Sequence, residues 1–384
     1  MSDRLQPTCS MRELVVYFLR LGTYGFGGPI ALAGYMQRDL VEERGWISKE
    51  EYVEGLALSQ LAPGPLAAQL AIYLGWARYG VLGGTLVGIA FVLPSFVMTV
   101  ILSILYVEFG GLSWMQGVFY GIGAAVIAII ARSVVKLVKL TLARDVLLWA
   151  VFAVSAAITA WTESEIVWVF LASGFLVLAV RSFGAKPPAT IGVLPVWFVS
   201  GVHGPASNGT LWTIAWYFAE AGAFVFGSGL AIVPFLHAGV VDQFHWLNER
   251  QFLDAVAVAM ITPGPVVITV AFIGYLVGGL AGAIVAALAT FLPCYLFTIL
   301  PAPYFKRFSN NRSVRGFVDG VTSAATGAIA GAAIVLGRRA ITDVGSIAIL
   351  LVTLAILFKL KKAPEPLVIL AAGAVGLGVS LLRQ

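Results

Sequence analysis

Past the polar residues Met1–Ser10, the chain is a succession of long apolar stretches divided by short polar segments. Ala255 to Phe305 is 51 residues without one Asp, Glu, Lys or Arg, and Tyr79 to Val107 is a further 29. Runs of that length are too long for a soluble core, and a spanning helix needs about 20 apolar residues. The pattern predicts two sets of six crossings. The first set lies at about 12–36, 51–77, 80–106, 112–131, 146–162 and 165–181, and the second at about 211–236, 251–275, 277–300, 316–337, 344–358 and 366–382.

The two sets are copies of one unit. At an offset of 200, Tyr17-Phe18 returns as Tyr217-Phe218, Gly22 as Gly222, Phe26-Gly27 as Phe226-Gly227 and Trp46 as Trp246. Pro63-Gly64-Pro65 returns as Pro263-Gly264-Pro265, and after a one-residue deletion Gly75 matches Gly274 and Pro94 matches Pro293. Residues 17–65 hold 12 identities in 49 ungapped positions. Apolar segments resemble one another by composition, so the weight rests on the Trp and PGP matches at one fixed offset.

Equivalent connections differ in charge. Glu108 follows the third crossing of the first unit, against Lys306, Arg307, Arg312 and Arg315 in the second. After the fourth, Arg132, Lys136, Lys139 and Arg144 stand against Arg338, Arg339 and Asp343; after the fifth, Glu163 and Glu165 stand against Lys359, Lys361 and Lys362. Basic connections stay cytoplasmic. Units of one orientation would mix three glutamates with seven Lys/Arg on one side, whereas opposite orientations separate them. Inversion needs an odd number of crossings between equivalent points, and the charge-free Pro187–Val202 is the candidate extra span. The expected layout is 6+1+6, N-terminus inside and C-terminus outside. It puts 17 basic residues inside and six outside, with the 37–50 loop outside and Arg20 within a span. The expected organisation is an N-terminal repeat (1–186), a connecting segment (187–210) and a C-terminal repeat (211–384). The fold class is an all-α polytopic membrane protein of two inverted repeats with PGP-interrupted helices and about 12–13 transmembrane segments, an architecture that recurs in secondary transporters.

Composition agrees. Only 43 of 384 residues are charged, 11%, against roughly 25% in soluble domains. Cys9 and Cys294 make neither a disulfide scaffold nor a zinc site, and His203, His237 and His245 lack metal-ligand spacing. With no GxGxxG or GxxxxGK[ST], nucleotide-driven pumping by this chain is not expected. The net charge of +5 reads as loop bias rather than a nucleic-acid footprint. No cleavable signal is expected, because Met1–Ser10 is polar and the apolar stretch runs on into structure.

The strongest local feature is the interrupted second segment of each unit. Ser48-Lys49-Glu50-Glu51 and Asn248-Glu249-Arg250-Gln251 fit capping boxes. About fourteen residues later come Ala62-Pro63-Gly64-Pro65 and Thr262-Pro263-Gly264-Pro265. Pro63 lacks a donor and Gly64 a Cβ, so the helix stops; Pro65 suits the first position of a new one. Backbone broken at membrane depth survives only against protein or a watered cavity, and the second half-helix points its partly positive end at the break. The alternative is a pair of kinks that only shape packing, and whether the PGP segments cross the membrane or turn back within it stays open. A glycine break interrupts each first segment: Gly25-Phe26-Gly27-Gly28-Pro29 and Phe226-Gly227-Ser228-Gly229. Close packing and solute contact are both open readings there.

Ionisable groups inside spans are costly and usually functional. Arg20 is a candidate anion contact, with Glu220 as its repeat mate; Glu54, Asp254 and Glu220 are candidate coupling or gating groups. Snorkelling from a span end and a polar interfacial helix face remain the bland alternatives. Ser59, Gln60, Gln69, Ser228 and Thr262 are uncharged donors flanking the breaks, and some of them are expected to bond only their own helix.

Phe26-Gly27-Gly28-Pro29, Trp46, Ala62-Pro63-Gly64-Pro65, Gly75 and Pro94 together resemble the chromate ion transporter (CHR) family. The second copy, Phe226-Gly227, Trp246, Thr262-Pro263-Gly264-Pro265, Gly274 and Pro293, is similar to the two-domain, long-chain form. Two departures stand out: Met260 replaces Gln60, and Phe226-Gly227-Ser228-Gly229 lacks the proline. The resemblance implies a multi-pass secondary transporter of the bacterial cytoplasmic membrane that expels chromate and confers resistance to it. It would be no enzyme and need no cofactor, metal or nucleic acid; its partners would be a small inorganic anion and the lipid bilayer, with a homodimer left open. Sulfate or another oxyanion, transported or exchanged by the same architecture, is the alternative substrate. The expected substrate-binding set is Arg20, Phe26, Gly27, Gly28, Pro29, Gln60, Pro63, Gly64, Pro65, Gln69, Phe226, Gly227, Ser228, Thr262, Pro263, Gly264 and Pro265.

Overall fold

The computed structural model describes residues 9–382 except 27, 110–112, 143–144, 163–166, 183–208, 225–231, 306–311, 342 and 360–364. Among the described residues all regular structure is helical, as the apolar pattern predicts. Where the predicted first and second crossings of each unit should lie, however, the chain reverses.

Helix α1 (Met11–Tyr24) starts on a capping box between Ser10 and Glu13 and ends at Gly25, whose N–H still closes on the Leu21 carbonyl at 2.7 Å. Helix α2 (Gly28–Met36) widens into a turn over Gln37–Glu43 and comes back along α1. The Tyr17 hydroxyl donates to the Tyr35 carbonyl (3.4 Å) and the Asp39 carboxylate (3.2 Å), and the Arg44 guanidinium lies 5.4 Å over the Tyr17 ring. Helix α3 (Lys49–Leu61), the tip at 62–65 and helix α4 (66–78) form a second hairpin. A Cβ placed on Gly55 would fall 2.3 Å from the Tyr73 ring, and Arg78 pairs with Glu51 at 2.9 Å. A continuous helix would separate residues 51 and 78 by ~40 Å.

The helix Leu66–Phe109 is broken at Tyr79 (φ −131°, ψ 19°) and Gly80 (φ 62°, ψ −153°), which divides α4 from α5 (81–109). Gly80 holds a conformation essentially reserved for glycine. A Cβ on Gly75 would sit 2.5 Å from the Gly83 carbonyl, so α4 and α5 are antiparallel. Three apolar helices follow: α6 (Ser113–Thr141), α7 (Val146–Thr162) and α8 (Val167–Ser182).

The same series occurs again. It comprises α9 (Gly209–Phe224), α10 (Ile232–His237), α11 (Glu249–Ile261), α12 (269–277), α13 (280–299), α14 (Arg312–Ala340), α15 (Val344–Lys359) and α16 (Glu365–Leu382). The Tyr217 hydroxyl donates to the Phe235 carbonyl at 2.7 Å, folding α10 back on α9. The Tyr106 hydroxyl donates to Asp254 (2.8 Å) while its ring lies 5.2 Å from that of Phe272, so the two arms of the α11–α12 hairpin meet one side chain. Gly278 (φ −138°, ψ 22°) and Gly279 (φ 62°, ψ −154°) reproduce the α4–α5 turn.

The segments 12–36, 51–77, 211–236 and 251–275 are therefore hairpins rather than single crossings. Hydropathy reports how much apolar chain there is, not which way it turns after a break. The predicted extra span, Pro187–Val202, lies outside the described residues.

Helix directions follow from paired contacts. α5 and α13 cross antiparallel: Thr85 and Tyr295 share a 2.7 Å hydrogen bond, and a Cβ on Gly84 would meet Ile299. α1 runs parallel to α5, with the Tyr79 hydroxyl on the Cys9 carbonyl at one end and Gly22 against the Phe91 carbonyl further on. Beyond these, helices pack with the opposite half. The contacts Ser323–Leu148, Gly327–Phe152 and Gly331–Ala156 advance together, so α14 is parallel to α7; Gly316–Leu178 and Gly320–Ser173 make it antiparallel to α8. Gly117–Ser380 and Gly121–Ala372 set α6 antiparallel to α16, and Tyr120–Asp343 joins α6 to the start of a parallel α15. Small residues permit this close approach. At one end Arg181 ties the halves together, reaching Asp145 at 2.6 Å and Asp319 at 2.5 Å. Its hydrogen bond holds the Asp145 carboxyl below the usual carboxylate range.

Candidate functional site

Both predicted capping boxes are present. Ser48 Oγ accepts from the Glu51 amide at 3.2 Å while Glu51 accepts from the Ser48 amide at 2.9 Å, and Asn248 and Gln251 do the same at 2.9 and 3.0 Å. These boxes fix where α3 and α11 begin, and hence how deep their tips reach: thirteen residues on, ~20 Å. Both helices end where the PGP motifs begin. Pro65 stands one position before the first residue of α4 rather than within it; Pro265 (φ −75°, ψ 125°) is extended and leads through one tight turn into α12.

Gly64 (φ 139°) and Gly264 (φ 98°) take backbone conformations that L side chains rarely adopt. Space forbids a side chain as well. A Cβ on Gly264 would lie 2.0 Å from Ser95 Oγ, and one on Gly64 would lie 2.6 Å from Gln69 Nε2 and 3.2 Å from Cys294 Sγ. Each tip thus lies against the long helix of the opposite half, α5 at Ser95 and α13 at Cys294. Ser95 donates to the Pro263 carbonyl at 2.6 Å, and the Gly264 amide donates to the Gly25 carbonyl at 3.0 Å. The tip of one half's second hairpin therefore touches the tip of the other half's first, between α5 and α13.

Gln69, fully buried, donates from Nε2 to the Pro63 carbonyl at 2.7 Å, which ties the tip to the half-helix beyond it. Its Oε1 is buried without a partner among the described residues, an acceptor that a donor such as water can satisfy and an acceptor-only oxyanion cannot. The Pro65 carbonyl takes the amides of Ala68 and Gln69. Among the described residues those of Leu66 and Ala67, at the start of α4, make no backbone hydrogen bond outside the helix, and as first-turn amides they point toward the break.

Two carboxyls lie a little over two turns before the tips. Asp254, 4% exposed, accepts from Tyr106 of the other half; Glu54, half-buried, hydrogen-bonds Tyr73 of its own hairpin. In the repeat register the mate of Tyr73 is Phe272 and that of Tyr106 is Phe305. Each carboxyl thus has a phenol, supplied by a different element in each half.

Other predicted residues are more scattered. Phe26, Pro29 and Pro63 are half-buried, Pro65, Pro263 and Pro265 are buried, and Gly28 opens α2. Gln60 is exposed on α3 one turn before the break. Arg20 is exposed on α1, on a face with Val16, Leu19 and Tyr24, and Glu220 is half-buried on α9. Thr262 and Ser59 bond their own helices, at Val258 (2.7 Å) and Gly55 (2.7 Å). Gly27, Phe226, Gly227 and Ser228 lie outside the described residues. Ser95, Cys294, Tyr73 and Tyr106 were missed by sequence reasoning. A signal existed for two of them: Ser95 and Cys294 directly follow Pro94 and Pro293, a pair in the repeat register.

The sequence profile described as "chromate transporter" matches residues 12–178 and, separately, 212–377. The chain is 59% identical over 379 residues to a chromate transport protein of Cupriavidus metallidurans, covering 97% of this chain and 94% of that one. It is 56% identical over 383 residues to a probable chromate transport protein of Synechococcus elongatus (97% and 96%), and 31% identical over 398 aligned positions to a chromate transport protein of Pseudomonas aeruginosa (98% and 94%). No solved structure matches.

Proposed function

This chain belongs to the chromate transporter family, and on that premise we propose that it is a secondary active transporter that expels chromate across the bacterial cytoplasmic membrane. The observation that carries the reading is the meeting of discontinuous half-helices between α5 and α13. A tetrahedral dianion needs several donors at once and no nearby carboxylate. The first amides of α4 and the partly positive ends of α4 and α12 answer that need at backbone level. Glycines at 64 and 264 let the tip backbone close against Ser95, Gln69 and Cys294, and Gln69 braces the tip that presents the amides. Arg20 supplies the cation: it lies ~14 Å along α1, beyond easy snorkelling, on an exposed face, and so requires water or an anion. Glu54, Asp254 and Glu220 serve coupling or gating rather than anion binding, because their charge would repel the solute.

The membrane arrangement we propose is two units, 1–186 and 211–384, of opposite orientation. Each has two re-entrant hairpins and four crossings, and the segment between 187 and 210 passes from one face to the other. The parallel packing of α7 with α14 supports this: the first-unit hairpins then enter from one face and the second-unit hairpins from the other. With the basic face cytoplasmic the N-terminus is inside and the C-terminus outside. The 37–50 connection joins the inner face, contrary to the simple crossing count, and 237–250 joins the outer one. That raises the inside-to-outside distribution of Lys and Arg from 17:6 to 19:4, as three move in and Arg250 moves out.

Expression in chromate-sensitive bacteria, with cell-associated chromate measured, tests the function. Cells making the wild-type chain should retain severalfold less chromate than cells making a variant with Pro63 and Pro263 replaced by Ala. Equal retention at equal membrane abundance would refute chromate export. Suppression of vesicle chromate flux by sulfate would move the assignment to a broader oxyanion carrier.

A further inference from the structure

We propose that the structure is open to the cytoplasm, and that the outward-open state forms when α3 docks on α14 and α8 while α11 leaves α6 and α16. The inference rests on the transport reading and adds the motion. α11 and α3 are repeat mates, yet their surroundings differ. Every residue from Asp254 to Met260 is buried, and α11 packs on α6, α14 and α16. α3 packs chiefly on α4 and the 37–43 turn of its own half, and an open face remains. Along that face lie exposed Glu50, Val53 (53% exposed), half-buried Glu54 and Ala57, and exposed Gln60, at the three- and four-residue spacing of one helix side. Two carboxylates and an amide do not face hydrocarbon cheaply, so this face lines water, from the hairpin base to the tip. The base lies on the basic, cytoplasmic face.

The proposed seat for α3 is the repeat counterpart of the pair that holds α11. α14 and α8 pack against each other as α6 and α16 do, through glycines in the same register: Gly121 against Ala372 and Gly320 against Ser173. α11 sits on the α6–α16 pair, and the proposed motion seats α3 on the equivalent α14–α8 pair. Two oppositely inserted units then give two states with the same kinds of contact, exchanged between hairpins, and packed surfaces of this sort switch rather than deform continuously. The tips stay braced by Ser95 and Cys294 in both states, so α1–α5 and α9–α13 move as one body against the two outer bundles.

The repeat-related pair Ala57→Cys and Ala257→Cys tests this in vesicles of both orientations with a membrane-impermeant thiol reagent. Cys9 and Cys294 are buried, so the parent chain serves as the blank. At rest, the cysteine at 57 should react from the cytoplasmic face at least tenfold faster than that at 257 from either face. During chromate flux, labelling at 257 from the outer face should rise severalfold while labelling at 57 falls. Val53→Cys should behave as Ala57→Cys does and guards against a local packing defect. Labelling at 57 faster from the outer face, or at 57 and 257 equally at rest, would overturn the state assignment. Constant rates at both positions while the same vesicles move chromate would overturn the exchange. Vesicles that move no chromate would refute the transport reading, and the resting labelling would still decide the state.

Discussion

The tip held by Ser95 gives the sharpest prediction. Gly264→Ala forces an L side chain into φ 98° and places its Cβ 2.0 Å from Ser95 Oγ. The backbone strain costs about 1–3 kcal/mol. Ser95 must also swing away from the Pro263 carbonyl it now holds at 2.6 Å, and a buried carbonyl left without its donor costs about 1–3 kcal/mol more. Even the low ends, about 2 kcal/mol together, reduce the native tip conformation roughly 30-fold. Chromate flux per membrane-inserted molecule should fall by that factor or more, with abundance near wild type. Ser95→Ala alone loses the hydrogen bond but adds no clash. In the double variant the hydroxyl that clashed is gone, leaving the Ser95 Cβ at 3.1 Å, so the two effects should fall short of additivity by about 1–3 kcal/mol. Gly80→Ala, at φ 62° with open space around it, isolates backbone strain without a clash. Wild-type flux in Gly264→Ala, or strictly additive losses in the double variant, would show that the tip is not held this way.

Three more outcomes follow from the same geometry. Arg20→Gln should raise the chromate concentration for half-maximal flux about tenfold or more at unchanged abundance; a fall in abundance alone would make Arg20 structural. Cysteines at Gly45 and His245 should label from the cytoplasmic and outer faces respectively; the reverse assignment would refute the re-entrant hairpins, and labelling of both from one face would refute the opposite orientation of the two units. Asp145 is held below its ordinary range by Arg181, so the folded state gains stability above the unfolded carboxyl's pKa and loses it as pH falls through the lower folded value; Arg181→Ala should therefore flatten the acid limb of a thermal-stability profile, and an unchanged limb would place the linkage elsewhere.

Much of this fold could be read from residues alone, and the exceptions share a cause. The capping boxes at Ser48 and Asn248, the PGP stops and the glycine break after Tyr24 are local signals, set within a few residues by donors, acceptors and allowed φ, and they appear where expected. Reversal at Tyr79–Gly80 is also local, but a single glycine between apolar runs does not announce a turn. The doubling back of α2 on α1 depends on Tyr17 meeting Tyr35, a tertiary contact with no periodic trace. The candidate site divides the same way. Pro63, Gly64, Pro263, Gly264 and Gln69 were legible because their chemistry is in the backbone break itself. Ser95, Cys294 and Tyr106 were not, since each acts on the opposite half. The Tyr–Phe exchange between 73/272 and 106/305 hides the phenol from any comparison of one repeat with the other.

The packing of α14 between α7 and α8 bears on how the chain is made. Ser182 leaves the ribosome 130 residues before Arg312, about 7–26 s at ordinary synthesis rates. Through that interval the faces of α7 and α8 that will receive α14, with Ser155 and Ser173 among them, have no partner in the bilayer. The first half is thus an assembly intermediate rather than a finished domain, and its helices need lipid tolerance or an insertion factor until the second half arrives. Residues along that waiting face answer to biogenesis as well as to the finished transporter.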